Sequence, residues 1–311
     1  MLRFSCPNCQ NELFFNSFDC VNCNSGVSYS PWESRFVLQD AQSDCANRVE
    51  HKICNWVMDG QGPFCMACLA NSVIPDLNVF GNLEKWEQLE RSKRRLYYSC
   101  VRLGIDTSGL NFRFLASTPS EKAVTGHCSG TITVNLGEAD PVTREQTKQS
   151  LKENFRTLIG HFRHEFGHFY WEKQIAPNQQ VLERFRELFG DERENYDACL
   201  DQYYAGDWSK GQEYISVYAS SHPWEDWAET FAHYLHLRDV LETSKQFELS
   251  ASGDFEFDAG VEEWIRLSVA FNEINRSMGL PDLYPFALTP RVVDKLRFVH
   301  QTVVGEVAEL R

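Results

Sequence analysis

The cysteines constrain this chain more than any other residue type. Of the 11 cysteines in the 311 residues, eight come before residue 69. They are Cys6, Cys9, Cys20, Cys23, Cys45, Cys54, Cys65 and Cys68. A C-x2-C pair places two thiolates on one tight turn, and two such turns supply the tetrahedral ligand set of a structural zinc ion. The spacing therefore predicts a small N-terminal region that is stabilised by metal.

Two four-cysteine sites are predicted in tandem. The first has the spacing of a short zinc ribbon and consists of Cys6, Cys9, Cys20 and Cys23. The second has one C-x2-C pair and one wider pair, and consists of Cys45, Cys54, Cys65 and Cys68. His51 lies between two cysteines of the second site and could replace one ligand. The alternative for this second set is a group of small buried thiols without metal.

The charge balance excludes two classes of partner. Lys and Arg number 30 against 44 Asp and Glu, which gives a formal net charge of −14. Nucleic acids and anionic membranes attract proteins mainly through Lys and Arg, so we expect neither as a partner. The first residues contain no apolar signal-peptide core, and no apolar run is long enough to span a bilayer. We therefore expect a cytoplasmic chain, whose zinc-ribbon region could contact a protein partner.

Beyond the cysteine-rich part, helical patterning dominates. We predict a boundary that separates a zinc-ribbon region, residues 1–76, from a second domain, residues 77–311. Helices are predicted over residues 82–103, 141–175, 181–189, 196–204, 223–241, 259–278 and 290–304. Strands are predicted over residues 111–115 and 131–136. The expected fold class is α+β, with a small ribbon region followed by a mainly helical domain that contains a small β-sheet.

The most informative motif lies within the predicted helix over residues 141–175. His164, Glu165 and His168 match the pattern H-E-x-x-H. Residues four apart on a helix share a face, so both imidazoles can reach one zinc ion, and Glu165 can take a proton from a water molecule there. The alternative is a polar helix face with two surface histidines. Bulky apolar residues surround the motif, which favours buried histidines that need a partner.

A third zinc ligand must come from another segment, because the sequence contains no HExxHxxGxxH. Glu225 and Glu229 are four residues apart and share a face at the start of a predicted helix. They resemble the E-x-x-x-D arrangement of glutamate-type zincins, in which the first acid binds zinc and the second holds a ligand histidine. The resemblance implies Glu225 as the ligand and Glu229 as the outer partner. Glu229, Asp226 and, more remotely, His233 stay open as the ligand, and these acids could instead only stabilise the helix N-terminus.

Most of the chain resembles a bacterial family of zinc-binding metallopeptidases that begin with a zinc-ribbon region. The matching stretches lie between residues 6 and 236 and read CPNC, CANRVEHKICNW, FCMACLANSVIPDL, GHCSGTITVNLGEAD, TLIGHFRHEFGHFYW and SHPWEDWAETFAHYLH. The resemblance implies a zincin-like fold and a zinc cofactor. It also implies a core site of His164, Glu165 and His168 that the acidic helix at Glu225 completes.

These residues predict a zinc metallopeptidase with one catalytic and two structural zinc ions. His164, His168 and Glu225 would hold the catalytic zinc, and Glu165 would be the general base toward a peptide or protein substrate. The strand over residues 131–136 is expected at a sheet edge, where an extended peptide could pair with it. The candidate oxyanion donors are Tyr218, His222 and His127. Two other functions stay open: an adaptor with a structural zinc, and a zinc amidase or deamidase acting on a non-peptide amide.

Overall fold

The chain folds into two compact units, Met1–Arg144 and Glu145–Arg311. The computed structural model describes residues 1–58, 60, 62–118, 122–150, 156–206, 211–250 and 253–305, with backbone alone for residues 147–150. Among these residues, no helix is both long enough and apolar enough to cross a lipid bilayer. The predicted limit of the ribbon region at residue 76 stays a prediction.

The first unit combines short strands with one long helix. Its strands are β1 Phe4–Ser5, β2 Glu12–Leu13, β3 Val27–Ser30, β4 Arg35–Leu38, β5 Asn71–Val73, β6 Asn111–Leu115, β7 Gly126–Cys128 and β8 Thr131–Asn135. Its helices are α1 Ala46–Val49, α2 Met66–Leu69 and α3 Asn82–Leu103. The predictions of a helix over residues 82–103 and of a strand over residues 111–115 are confirmed. α3 ends at Gly104, whose φ of 67° lies in the left-handed region that favours glycine.

Aromatic rings form the core beside the antiparallel pairs β1–β2 and β3–β4. Phe4, Phe15, Tyr29, Trp56 and Tyr98 are all buried. The rings of Phe4 and Tyr29 meet edge-on with centroids 5.5 Å apart, and those of Phe15 and Tyr98 do so at 5.4 Å. Edge-on contacts of this kind add stability beyond the apolar area that they bury. Because Tyr98 belongs to α3, this core ties the cysteine-rich segments to that helix.

The remaining strands of the first unit form a four-stranded sheet in the order β5-β6-β8-β7. β8 pairs in parallel with β6 and antiparallel with β7, so it has a neighbour on each side. The prediction that this strand lies at a sheet edge is therefore wrong. The sequence did not reveal its second neighbour because β7 has only three residues, too few for an alternating pattern.

The second unit is helical in the part that the structure describes. α4, Pro141–Ser150, crosses the boundary between the units. The helices that follow are α5 Leu158–Tyr170, α6 Gln179–Phe189, α7 Tyr196–Tyr204, α8 Pro223–Gln246, α9 Phe257–Ser277 and α10 Pro290–Val304. A π-helical turn over Trp171–Ile175 follows α5, and a 3-10 turn over Tyr218–Ser221 precedes α8. The predicted α+β fold class is confirmed.

The predicted continuous helix over residues 141–175 is wrong. The two residues before α5 are not helical, and Thr157 begins a new helix because its Oγ1 accepts the backbone N–H of Gly160 at 3.0 Å. The apolar positions Leu151 and Phe155 of that prediction lie outside the described residues. An apolar repeat that resumes after an interruption cannot by itself reveal the interruption.

A close approach of α5 and α8 positions the candidate site. A Cβ atom on Gly167 would lie 3.0 Å from Cα of Ala228, so only glycine fits at this place without a backbone shift. The indole N–H of Trp227 donates to the carbonyl of Gly167 at 2.9 Å. Gly167 stands inside the HExxH motif, one residue before His168. The contact therefore fixes the motif against the first turns of α8, where the acidic residues lie.

Candidate metal centres and catalytic site

The first predicted thiolate site has the spacing that zinc requires. Sγ of Cys6 lies 3.7 Å from Sγ of Cys23, and Sγ of Cys9 lies 3.6 Å from Sγ of Cys20. A disulfide bond needs about 2.05 Å between its sulfurs. A tetrahedral zinc ion with Zn–S bonds of about 2.3 Å places its sulfurs about 3.8 Å apart. The four free thiols therefore fit a zinc ion, and two of them, Cys9 and Cys23, are partly exposed.

The second predicted thiolate site is deeper in the protein. Cys45, Cys54, Cys65 and Cys68 form one group and are all buried. Sγ of Cys54 lies 3.7 Å from Sγ of Cys65, again close to the separation in a zinc tetrahedron. His51 is not a member of this group. Four sulfurs therefore converge here without the histidine that the sequence left open as a ligand.

A buried arginine accompanies the second thiolate site. Arg94 of α3 is 0% exposed, and its Nη1 donates to the carbonyl of Ile53 at 2.8 Å. Its Nε and Nη2 have no hydrogen-bond partner among the described residues. Burial lowers the pKa of Arg94, but the nearby Cys54, Glu90, Cys68 and Cys65 side chains together raise that pKa by more. Glu90 also contacts Lys93 at 2.8 Å, so two cations share this carboxylate, and metal-bound thiolates at the cysteine site would supply further negative charge for Arg94 to balance.

The H-E-x-x-H motif and α8 bring three further donors together. Nε2 of His164 lies 3.2 Å from Nε2 of His168 and 3.0 Å from Oε2 of Glu225. Nε2 of His168 lies 3.5 Å from Oε2 of Glu225. A tetrahedral zinc ion with ligand bonds of about 2.0–2.1 Å spaces its donors about 3.3 Å apart. Oε2 of Glu225 is buried and has no hydrogen bond of acceptable geometry among the described residues. The three atoms therefore have the spacing of a shared cation site.

Glu229 supports this group from outside, one helical turn beyond Glu225. Its Oε1 accepts a hydrogen bond from Nδ1 of His164 at 2.8 Å, since a carboxylate can only accept. Its Oε2 accepts from the hydroxyl of Ser216 at 2.6 Å, and that hydroxyl oxygen accepts the backbone N–H of Ala219. With Nδ1 donating, Nε2 of a neutral His164 carries its lone pair toward the other two donors.

The electrostatics of the group favour a positive charge at its centre. Burial lowers the pKa of His164, but the neighbouring Glu225 and Glu229 carboxylates together raise that pKa by more, to well above the ordinary value. Burial raises the pKa of Glu229, but His164, His233 and the hydroxyl of Ser216 together lower it by more and leave a pKa of about 2. A divalent cation fits the centre of the group because it can bind all three donors at once.

The other acidic and histidine candidates on α8 have different partners. Asp226 forms a buried ion pair with Lys295 at 2.5 Å, and burial raises its pKa to about 7. Nδ1 of His233 lies 2.8 Å from the hydroxyl of Tyr284. Neither residue is part of the three-donor group. Their placement favours Glu225 over the alternatives that the sequence left open.

Tyr218 lies beside the three donors. The ring of Tyr218 lies 5.9 Å from that of His164, centroid to centroid. Burial raises the pKa of Tyr218 well above its ordinary value, and Glu225 and Glu165 add to the shift. Tyr218 therefore stays protonated and can donate a hydrogen bond. Glu165 belongs to the same helix as both histidines and is not one of the three donors.

The two other oxyanion candidates are placed differently. Nδ1 of His222 accepts the backbone N–H of Trp224, which caps α8, so its Nε2 donates to the carbonyl of Glu194. Both ring nitrogens are thus engaged. His127 lies in β7 of the first unit, where its Nε2 accepts the backbone N–H of Gly130.

Three contributing residues escaped the sequence reading. Ser216 supports Glu229, and Tyr196 donates its hydroxyl to Oε1 of Glu225 at 2.7 Å. Tyr196 is the first residue of α7 and Ser216 precedes the 3-10 turn before α8, and neither belongs to a recognisable motif. Arg94 escaped because it stands in a highly charged stretch of α3, which reads as a solvated helix face. Burial of Glu90, Lys93 and Arg94 together is the signal that only the structure gives.

Comparison with known proteins agrees with this picture. Residues 82–302 match the model of a family described as "Putative zinc-binding metallo-peptidase", and residues 3–79 match that of a zinc-ribbon domain. Uncharacterized proteins from Mycobacterium bovis and Mycobacterium tuberculosis are each 41% identical over 333 residues, covering 99% of this chain and 96% of theirs. No solved structure is significantly similar to the chain. The chain belongs to this family of zinc-binding metallopeptidases with an N-terminal zinc ribbon.

Proposed function

We propose that this protein is a zinc-dependent peptidase of the cytoplasm in which His164, His168 and Glu225 hold the catalytic metal. The observation that carries the proposal is the number of donors: the described residues bring together three here, against four in each cysteine group. Structural zinc sites use four protein ligands, whereas catalytic sites use three and leave one position for water or substrate. The adaptor function, which needs a closed site, is therefore disfavoured.

The residues around this group fit the steps of peptide hydrolysis. Bound zinc would lower the pKa of a water molecule and polarise the scissile carbonyl. Glu165 takes the proton of the attacking water and passes it to the leaving amine. Tyr218, which burial keeps protonated, donates a hydrogen bond to the developing oxyanion. Glu229 orients His164 through Nδ1 and leaves Nε2 free for the metal.

We further propose a total of three zinc ions per chain, because the structure groups donors at two cysteine sites and one His/Glu site. Elemental analysis of the zinc-replete chain tests the metal count, and a reproducible value of two or fewer would contradict it.

The ribbon region would contact a protein partner, since the apolar side chains of Phe14, Val21 and Trp32 are exposed at 80%, 89% and 62%.

The experiment that tests the activity is Glu165→Gln in the full chain. We expect cleavage of a peptide library, followed by mass spectrometry, to disappear while zinc content stays at the wild-type value. The amide cannot accept the proton, and Glu165 is not one of the three donors. Glu172→Gln, an exposed glutamate after α5, is the matched control and should retain activity. Ammonia release without new peptide ends would favour the amidase, and wild-type cleavage by Glu165→Gln would contradict the mechanism.

A further inference from the structure

The two carboxylate oxygens of Glu225 have different environments. Oε2 faces the imidazoles of His164 and His168. Oε1 accepts a hydrogen bond from the hydroxyl of Tyr196 at 2.7 Å. A carboxylate with both oxygens free can rotate or bind a metal through both. Here one oxygen is already engaged, and only the other points toward the donors.

Tyr196 is itself held in place by the surroundings of α8. Its ring meets His222 edge-on at 5.2 Å and Trp224 at 6.1 Å between centroids. His222 fixes the chain just before Tyr196 by donating to the carbonyl of Glu194. The ring of Trp224 lies against that of His168, with centroids 4.0 Å apart. The hydroxyl of Tyr196 is therefore delivered to a fixed point beside the candidate ligands.

The hydroxyl of Tyr196 is the donor in this contact, because a carboxylate can only accept a hydrogen bond. A neutral phenol donates without adding charge to the site, unlike a lysine or arginine in the same position. The hydrogen bond from Tyr196 therefore occupies one oxygen of Glu225. The other oxygen and the negative charge of the carboxylate stay available to the metal.

We propose that Tyr196 is a positioning residue that holds Glu225 as a one-oxygen ligand and so keeps a coordination position open at the His164–His168–Glu225 site. This inference rests on the proposed zinc site. Outer partners of metal ligands orient them, and their loss typically lowers metal affinity or activity about 10–100-fold.

The test is Tyr196→Phe in the full chain, which removes one oxygen atom and keeps the ring. We expect zinc affinity at the His/Glu site, measured by competition with a calibrated chelator, to fall about 10-fold or more, with the cysteine sites still loaded. With Co2+ at this site, the variant should show weaker d–d absorption, because Glu225 then binds through both oxygens and raises the coordination number. A merely structural role of Tyr196 would not change that spectrum.

The matched control is Tyr170→Phe. Tyr170 donates its hydroxyl to the carbonyl of Thr302 at 2.9 Å, so this variant also loses one tyrosine hydrogen bond within the second unit. It should keep wild-type zinc affinity and Co2+ absorption. Unchanged affinity and absorption in Tyr196→Phe would overturn the inference and leave the proposed function intact. A wild-type chain that binds no metal at His164 and His168 would overturn both.

Discussion

The second cysteine site and the His/Glu site, formed by His164, His168 and Glu225, have similar distances between their donor atoms. They differ in the number of donors, in burial and in the charge of the neighbouring side chain. The four cysteines are buried, and a buried cation, Arg94, lies beside them. The His/Glu site has three donors and a partly exposed histidine, His164, and its outer partner is an anion, Glu229. The sign of the outer charge is opposite at the two sites.

The charges of the loaded sites explain this difference. Zinc with four thiolates carries a net charge of −2, whereas zinc with two neutral imidazoles and one carboxylate carries +1. A buried net charge is stable only when an opposite charge compensates it. Arg94 therefore suits the closed thiolate site and Glu229 suits the site with an open position. This difference is what we expect if the cysteine site is structural and the His/Glu site is reactive, as proposed.

The largest expected effect comes from breaking the buried thiolate site. Cys65→Ser should release one zinc ion and unfold the first unit, because apparent zinc-binding energies of about 10 kcal/mol or more contribute directly to folding. Zinc content and circular dichroism measure both results. Cys128→Ser, at an exposed cysteine outside the groups, is the control and should change neither. A folded Cys65→Ser chain with full zinc content would show that the site is not structural.

Removing the outer cation should have the next largest effect. Arg94→Met should lower the free energy of unfolding by about 3–5 kcal/mol, because it leaves the buried thiolate charge uncompensated. Arg91→Met is the control on the same helix, since Arg91 forms only a partly exposed ion pair with Glu87. Denaturant unfolding of the zinc-loaded chains measures the difference. Equal free energies of unfolding for the two variants would show that Arg94 does not stabilise the thiolate site.

At the His/Glu site, loss of the ligand Glu225 should weaken zinc binding more than loss of its neighbour Glu229. Glu225→Ala leaves two histidines and should empty the site at limiting zinc. Glu229→Ala should lower zinc affinity by about 10–100-fold, because His164 then loses the acceptor that orients it. Zinc content at equal, limiting metal is the measurement for both. If Glu229→Ala empties the site and Glu225→Ala stays loaded, the two roles must be exchanged.

The smallest effect is expected for Ser216, which contacts Glu229 and is not itself next to the metal donors. Ser216→Ala removes the hydroxyl that donates to Glu229 at 2.6 Å. We expect a loss of about two- to fivefold in zinc affinity, the equivalent of about 0.5–1 kcal/mol for one hydrogen bond. Ser220→Ala is the control in the same segment, because the Ser220 hydroxyl donates only to the carbonyl of Val217. A loss as large as that of Glu229→Ala would mean that Ser216 does more than support the carboxylate.

The sequence predicted well whatever local patterns encode. The C-x2-C pairs, the helix starts such as Thr289 before Pro290, and the strand over residues 111–115 all follow from short-range rules. The E-x-x-x-E pair of α8 places two acids on one helix face, and its resemblance to the E-x-x-x-D arrangement of glutamate-type zincins implies Glu225 as the ligand. Each of these signals lies within a few residues of the feature that it predicts.

The sequence could not show contacts that tertiary packing creates. Tyr196 stands 29 residues before Glu225, and no spacing rule connects them. Arg94 reads as solvated because its burial depends on the cysteine segments that pack against α3. The sequence does not show the capped break at Thr157 because the apolar repeat resumes after it, and it does not show the second neighbour of β8 because β7 is so short.

The central claim is that three protein donors, and not four, hold a metal at the His/Glu site. Anomalous diffraction at the zinc absorption edge from crystals of the zinc-loaded chain tests it most directly. The account predicts three peaks, one within each cysteine group and one between His164, His168 and Glu225 with a solvent molecule completing its coordination. A fourth protein ligand at that third peak, or no peak there in the presence of excess zinc, would contradict the account.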